Sequence, residues 1–119
     1  MSYIDGFLVP VPTGRKDDYK AMAEKTWPIF KDHGALRHVE CWGDDVPKGQ
    51  HTDFHMAVKA EAGETVVFSW IEWPSKAARD EGMKKAMADP RMQAMDPKAM
   101  PFDGKRMVFG GFAVLLDKQ

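Results

Sequence analysis

The densest group of chemically versatile side chains lies between residues 38 and 45, in the sequence HVECWGDD. Alternate side chains of an extended strand point to the same face, so His38, Glu40 and Trp42 are expected to share one face. The Cα atoms of His38 and Glu40 would then lie about 7 Å apart. A carboxylate at that distance can hold an imidazolium or orient the imidazole as a general base. A buried pair of this kind beside a tryptophan predicts the polar floor of a ligand cleft.

A structural salt bridge made by Glu40 is the alternative for this pair. Asp44 and Asp45 end the strand, where they can bind a cation or a substrate hydroxyl, or simply form a turn. Cys41 would point away from His38, so we expect a packed thiol rather than a nucleophile. The candidate cleft residues of this segment are therefore His38, Glu40, Trp42 and Asp44.

Residues 51–55 carry a second pattern, in which His51, Asp53 and His55 alternate. Such side chains lie on one face of a strand, but zinc needs three or four ligands. Nothing in the sequence brings a further carboxylate near these residues. We therefore predict no metal site and no cofactor, and expect these side chains at the surface.

The segment MPFDGKRM, over residues 100–107, is the other candidate for binding. Phe102 can close over a cleft while Asp103, Lys105 and Arg106 present charges at its mouth, because loops on a rigid scaffold often carry binding groups. Equally, Asp103 can start a turn, and the two basic side chains can form structural pairs with Asp44 or Asp45. The sequence leaves both interpretations open.

The elements that must position these residues follow from periodicity and punctuation. Strands are predicted over residues 3–11, 35–42, 65–73 and 107–116, with helices over 15–33 and 76–88. Thr13 is the expected cap of the first helix, and Pro28 is expected to kink it. The order β-α-β-β-α-β is the split βαβ, or ferredoxin-like, arrangement. The predicted fold class is therefore α+β, with a four-stranded antiparallel sheet and two helices on one of its faces.

The strand predicted over residues 65–73 is apolar on both faces. One face carries Val66, Phe68 and Trp70, and the other carries Val67, Ile71 and Trp73. The last strand is apolar on both faces as well. Helices on one side of a small sheet can cover only one face, and soluble monomers rarely expose a large apolar patch. We therefore expect a homodimer that packs sheet to sheet.

Bulk properties narrow the class of protein. A chain of 119 residues suits one domain, over residues 1–119. The net charge of −1 gives no overall basic field, so we expect no nucleic-acid partner. No apolar run approaches the roughly 20 residues of a membrane span, and the start lacks the pattern of a signal peptide. The single cysteine, Cys41, favours a cytoplasmic location.

Five segments spread along the chain carry a family resemblance: YIDGFLVPVP at the start, VECWGDDVP at 39–47, VVFSWIEWPSK at 66–76, MADPRM at 87–92 and MPFDGKRMVFGGF at 100–112. Together they resemble the YbaA-like family, a bacterial family of unknown function in the dimeric α/β-barrel superfamily. The resemblance implies a ferredoxin-like fold and a dimer whose two sheets form a barrel. It implies no activity, since the wider superfamily includes cofactor-independent monooxygenases, haem-degrading enzymes, isomerases and proteins without known catalysis.

The sequence does not specify a reaction. The leading hypothesis is a cytoplasmic homodimer that binds a small, partly apolar molecule in a cleft between helices and sheet. His38, Glu40 and Trp42 would line the cleft, with Asp44 and the segment 102–106 at its rim. One alternative is an enzyme of the cofactor-independent monooxygenase or isomerase type, in which His38 and Glu40 move protons. Another is a structural or interaction protein without catalysis.

Overall fold

The computed structural model describes residues 2–119 and contains one four-stranded antiparallel sheet. The strands are β1 (Tyr3–Pro12), β2 (Arg37–Trp42), β3 (Glu64–Trp73) and β4 (Val108–Ala113). The helices are α1 (Lys16–Asp32), α2 (Phe54–Ala57), α3 (Lys76–Ala88) and α4 (Pro90–Gln93). The strands lie in the order β2-β3-β1-β4, so the predicted ferredoxin-like fold is confirmed.

The hydrophobic core lies between the sheet and the helices. Strand β3 contributes Val67, Ile71 and Trp73, each at most 2% exposed, from the face that the helices cover. Helix α1 packs Ile29 and Phe30 against the β3 residues, and α3 adds Ala86. The apolar side chains of β1 on this face, Val9 and Val11, form a second cluster with Tyr19 and Val67. The regularly spaced apolar residues of α1 and β3 thus face the same hydrophobic core.

The opposite face of the sheet has no helix over its centre and remains apolar. Phe68 is 49% exposed and Phe112 is 61% exposed on this face. The register of the strands places Trp70 and Val108 on the same side. Val66 is the exception, because the segment between β2 and β3 covers it. Of the two apolar faces expected for β3, one is therefore covered by helices and the other is open.

Two local expectations are corrected by the structure. Thr13 does not cap α1; it begins a 3₁₀ turn, and its hydroxyl lies 2.8 Å from that of Thr65. Helix α1 runs through Pro28 to Asp32, close to the predicted span of 15–33. Strand β4 ends at Ala113 rather than at residue 116, because Ala113 pairs with Tyr3, the first residue of β1. A strand cannot continue beyond the backbone that accepts its hydrogen bonds.

The segment between β2 and β3 contains the short helix α2. Asp53 caps it, accepting the amide hydrogens of Met56 at 2.6 Å and Gly49 at 2.9 Å. No helix of residues 2–119 is both long enough and apolar enough to cross a membrane.

Candidate ligand-binding cleft

A cleft of about 800 Å³ lies between helix α1 and the edge strand β2. Its apolar walls are formed by Ala23 and Trp27 of α1, Leu36 and Trp42 at the two ends of β2, and Val67 of β3. Lysine and acidic side chains of α1 lie along its mouth, where Lys16 is 5.5 Å from the centre of the Trp42 ring. His38 and Glu40 supply the polar surface on the sheet side.

The Glu40 carboxylate is the centre of a partly buried hydrogen-bond network. Its Oε1 accepts the hydroxyl hydrogen of Tyr19 at 2.6 Å. Its Oε2 accepts the hydroxyl hydrogen of Ser69 at 2.7 Å and pairs with Nε2 of His38 at 2.5 Å. Tyr19 comes from α1, Ser69 from β3 and His38 from β2. Three separate elements therefore fix the position of this one carboxylate.

These contacts decide the protonation of the network. Burial by itself would raise the pKa of Glu40, but hydrogen bonds from His38, Tyr19 and Ser69 outweigh it, and the pKa is lowered. The pKa of Tyr19 is strongly raised by burial and then by the negative charge of Glu40. At neutral pH the carboxylate is therefore ionised. The phenol of Tyr19 stays protonated and donates a hydrogen bond to Glu40.

His38 is held in one orientation. Its side chain is 8% exposed and lies between the rings of Trp27 and Phe30, whose centres are 6.2 and 6.0 Å away. Because an ionised carboxylate only accepts hydrogen bonds, Nε2 of His38 carries the hydrogen of this contact. In the neutral form of the ring, Nδ1 then has the lone pair. Nδ1 makes no hydrogen bond within residues 2–119, but it is not fully buried. This nitrogen is therefore available to a molecule in the cleft.

The structure brings together three of the predicted site residues and separates the others. His38, Glu40 and Trp42 all line the cleft, from the face of β2 that the helices cover. Asp44 is exposed and lies in a smaller hollow of about 200 Å³ on the other side of Trp42, with Phe54 and Phe68. The turn after β2 carries Asp44 past the cleft.

The segment 102–106 does not line the cleft either. Phe102 packs edge-on against the Tyr19 ring, with the ring centres 6.0 Å apart. Arg106 donates to both carboxylate oxygens of Glu64, at 2.7 and 2.8 Å, and to Asp103 at 3.0 Å. Asp103 and Lys105 are exposed. Of the structural pairs that the sequence left open, none with Asp44 or Asp45 is formed by Arg106, which instead ties this segment to Glu64 at the start of β3.

Sequence reasoning missed two members of the network. Tyr19 is part of the apolar stripe of α1, and nothing in the stripe shows where its hydroxyl points. Ser69 carries a better signal, because it is a polar residue flanked by the core residues Val67 and Ile71 on the same face. A lone hydroxyl among core positions indicates a buried polar partner nearby.

A second buried polar group lies beneath α3. Asp5 of β1 is 6% exposed and accepts the indole hydrogen of Trp73 at 3.0 Å. Burial raises the pKa of Asp5, and Arg79, 3.6 Å away, partly opposes that effect. Arg79 also donates to the Tyr3 hydroxyl at 3.0 Å. These contacts tie α3 to β1 and β3, away from the cleft.

Among residues 2–119, no group of three or more His, Cys, Asp or Glu side chains is placed to hold a metal ion. In the HxDxH pattern, His51 is exposed and Asp53 is used as the cap of α2.

Residues 2–104 match the family model described as "Protein of unknown function (DUF1428)". The protein belongs to this family. It is 58% identical over 118 residues to the uncharacterized protein YbaA of Escherichia coli K12, an alignment that covers 99% of this chain and 100% of the relative. The YbaA protein of Shigella flexneri matches to the same extent. The resemblance to the YbaA-like family is confirmed.

Two solved structures share the fold of this DUF1428 protein. A NIPSNAP domain protein from Burkholderia xenovorans aligns with a TM-score of 0.60 and 18% identity, over 98% of this chain and 99% of the other. A variant of SnoaB, a cofactor-independent oxygenase from Streptomyces nogalater, aligns with a TM-score of 0.52 and 13% identity, over 98% and 93%. At these identities the likeness concerns the fold alone.

Proposed function

We propose that this protein binds a small, partly apolar molecule in the cleft between α1 and β2. The observation that carries the proposal is the combination of aromatic walls with one fixed polar group on the sheet side. A volume of about 800 Å³ falls within the range of small-molecule sites. Since all three short contacts of Glu40 are to protein groups, a ligand meets Nδ1 of His38 as its polar anchor.

The proposal includes a homodimer that packs through the open face of the sheet. Its support is the apolar surface of that face, where Phe68 and Phe112 would otherwise remain in water. Gly6 and Gly110 strengthen the case, because the Phe112 ring lies across both of them. Since neither glycine has a side chain, the Phe112 ring can lie close to the sheet backbone, which leaves room for a second sheet. The proposed location is the cytoplasm, consistent with Cys41 being a free thiol.

A thermal-shift screen of small molecules tests the binding site. Ala23 is 8% exposed and lines the cleft, so Ala23→Met fills part of it. Ala21, on the exposed side of the same helix, provides the control Ala21→Met. A compound at a hundredfold excess over its Kd stabilises the folded state by about 2.7 kcal/mol. We expect such a compound to stabilise the wild type and Ala21→Met, and to lose most of this effect with Ala23→Met. Equal stabilisation of all three proteins would place the binding site elsewhere.

Proton transfer is the second candidate function, as in a cofactor-independent monooxygenase or isomerase. It is favoured by the orientation of His38, whose Nε2 faces an ionised Glu40 while Nδ1 stays free to accept a proton. Glu40→Gln separates the two functions once a ligand is found. An enzyme would lose turnover more than binding, whereas a binding protein would show no turnover to lose. If the protein is an interaction protein without a ligand, no compound in the screen will stabilise the wild type more than it stabilises Ala23→Met.

A further inference from the structure

The α1–β2 cleft is a long groove whose two ends differ in chemistry. At one end the Trp27 ring lies beside the His38 ring, with 6.2 Å between the ring centres. At the other end the ammonium group of Lys16 lies 5.5 Å from the centre of the Trp42 ring. Because His38 and Trp42 are four positions apart on β2, the two ends are about 13 Å apart. A molecule that fills the cleft therefore has to be elongated.

The His38 end accepts a hydrogen bond and disfavours an anion. The hydrogen on Nε2 of His38 is directed to Glu40, so Nδ1 of the neutral ring is left as an acceptor. Glu40 is ionised and in direct contact with His38, so a second negative charge at this end would be repelled. The guanidinium of Arg37 does not offset that charge, because it lies over the Trp70 ring on the opposite face of the sheet. The polar group that suits this end is an uncharged hydrogen-bond donor.

The Trp42 end carries positive charge. Lys16 and Lys20 both line the cleft, and they are four positions apart in the first turns of α1. Side chains at this spacing lie on the same side of a helix. Two ammonium groups on the cleft side of α1 suit an anionic group of a ligand at this end.

The acidic side chains of α1 point further toward the solvent than the two lysines. One row of α1 side chains follows the cleft at helical spacing: Lys16, Lys20, Ala23 and Trp27. Asp17 and Glu24 also line the cleft, but each follows a member of this row by one position, which turns it about 100° round the helix. Tyr19 precedes a member of the row by one position, so it turns the opposite way, and its hydroxyl reaches Glu40 on the sheet. The two acidic side chains are therefore turned away from the sheet, and the lysines lie nearer to a ligand.

We propose that the cleft binds flat, elongated hydroxyaryl carboxylates, with the hydroxyl group donating to Nδ1 of His38 and the carboxylate beside Lys16. The inference rests on the proposed function, because it names the class of ligand for the same cleft. Trp27 and Trp42 supply aromatic walls for a flat skeleton. The reversed orientation would put the carboxylate beside Glu40 and the hydroxyl beside an ammonium group, which has no acceptor. The charges of the cleft therefore select both the class of ligand and its direction.

Three probes test this assignment on the unaltered protein. The compound 4-hydroxycinnamate has both groups, 4-methoxycinnamate lacks the hydrogen-bond donor, and methyl 4-hydroxycinnamate lacks the charge. Isothermal titration calorimetry at pH 7 measures the three Kd values. We expect the methoxy compound to bind about tenfold more weakly than 4-hydroxycinnamate, because Nδ1 of His38 loses its donor. We expect the methyl ester to bind about threefold more weakly at low salt, and this difference to vanish in about 1 M sodium chloride, because salt screens an exposed charge pair.

The variant Lys16→Gln tests the position of the carboxylate. The control is Lys25→Gln, because Lys25 is exposed on α1 and lies outside the cleft. Lys16→Gln is expected to lose the preference for the acid over the ester and to keep the preference for hydroxyl over methoxy, whereas Lys25→Gln keeps both. Equal affinity of the wild type for the hydroxyl and methoxy compounds would overturn the contact with His38. An acid preference that survives unchanged in Lys16→Gln would overturn the position of the carboxylate.

The cavity-filling variants separate this inference from the proposed function. We expect 4-hydroxycinnamate to bind Ala21→Met as it binds the wild type, and to bind Ala23→Met at least about tenfold more weakly. If 4-hydroxycinnamate does not bind while other screened compounds bind in a way that depends on Ala23, the ligand class is wrong and the cleft remains a binding site. If no compound of any class depends on Ala23, both the ligand class and the proposed function are overturned.

Discussion

At the residue scale, Glu40 shows how a strand can hold a charge beside a hydrophobic core. Its three partners are separated from it by 21, 29 and 2 positions in the sequence. Each donates a hydrogen to the carboxylate, so the ionised form gains more from the contacts than it loses by burial. The same contacts keep the Nε2 hydrogen of His38 on the Glu40 side. The ionised Glu40 therefore supplies the negative charge on the sheet side of the cleft and fixes Nε2 as the ring nitrogen of His38 that carries the hydrogen of this contact.

Glu40→Gln is expected to lower the free energy of unfolding at pH 7 by about 1–3 kcal/mol, because the amide turns a donor toward groups that also donate. The pH dependence has a defined sign. Folding lowers the pKa of Glu40 below its ordinary value of 4.5, so its contribution is present above pH 4.5 and is lost as the pH falls through the lower folded-state pKa. Urea unfolding between pH 7 and pH 3 measures this, and the variant should lose less stability on acidification. The control is Glu24→Gln, at an exposed position on α1; equal acid sensitivity of the wild type and Glu40→Gln would contradict the assignment.

At the scale of the elements, the packing of α3 on the rest of the core depends on Gly82. A Cβ atom at this position would lie 2.4 Å from the carbonyl oxygen of His33 and 2.4 Å from the Trp73 ring. Trp73 is fully buried and its indole is already held by Asp5. Neither neighbour is a flexible side-chain end that can move aside. The absence of a side chain at Gly82 therefore permits α3 to approach both β3 and the end of α1.

Gly82→Ala is expected to destabilise the protein by about 1–3 kcal/mol, because the added methyl group overpacks a rigid contact. Gly14→Ala is the matched control, since a methyl group on Gly14 would have no neighbour within 4 Å and the Gly14 backbone is not in the left-handed region. Thermal unfolding of the two variants measures the difference. If Gly82→Ala were as stable as Gly14→Ala, the close packing of α3 would be contradicted.

At the scale of the whole molecule, the helices cover one face of the sheet and leave apolar side chains exposed on the other face. Phe68 and Phe112 stand on that open face, and Arg37 lies over the Trp70 ring at 5.1 Å. The cleft lies on the helix side of β2, across the sheet from the open face. The proposed dimer contact and the candidate cleft therefore lie on opposite faces of the sheet.

Phe68→Glu is expected to shift the protein from dimer to monomer, because a carboxylate would be desolvated between two sheets. Met87→Glu is the control, since Met87 is 48% exposed and Phe68 is 49% exposed, but Met87 belongs to α3 on the other side of the sheet. Light scattering at micromolar concentration measures the mass of both variants. A monomeric wild type, or a Phe68→Glu variant that stays dimeric, would contradict packing through the open face.

The fold was largely predictable, and the candidate site was predictable in part. Alternation along β3 and the periodicity of α1 encode which faces are buried, so the α+β order follows from local patterns. His38, Glu40 and Trp42 were predicted to share a face because β2 is regular. Tyr19 was not predicted as their partner, because the direction of its hydroxyl depends on how α1 lies over β2. The segment 102–106 was open in the sequence, since side-chain pairing across long separations has no local signature.

The sequence by itself therefore determined the elements, their order, the two apolar faces of β3 and the likeness to the YbaA-like family, because these depend on residue types at short spacing. Only the tertiary structure decided which groups hold Glu40, where the cleft lies and where β4 ends. Those outcomes depend on contacts between residues far apart in the chain, as when Ser69 and Tyr19 meet one carboxylate. Likewise, β4 stops at Ala113 because its neighbour β1 begins at Tyr3.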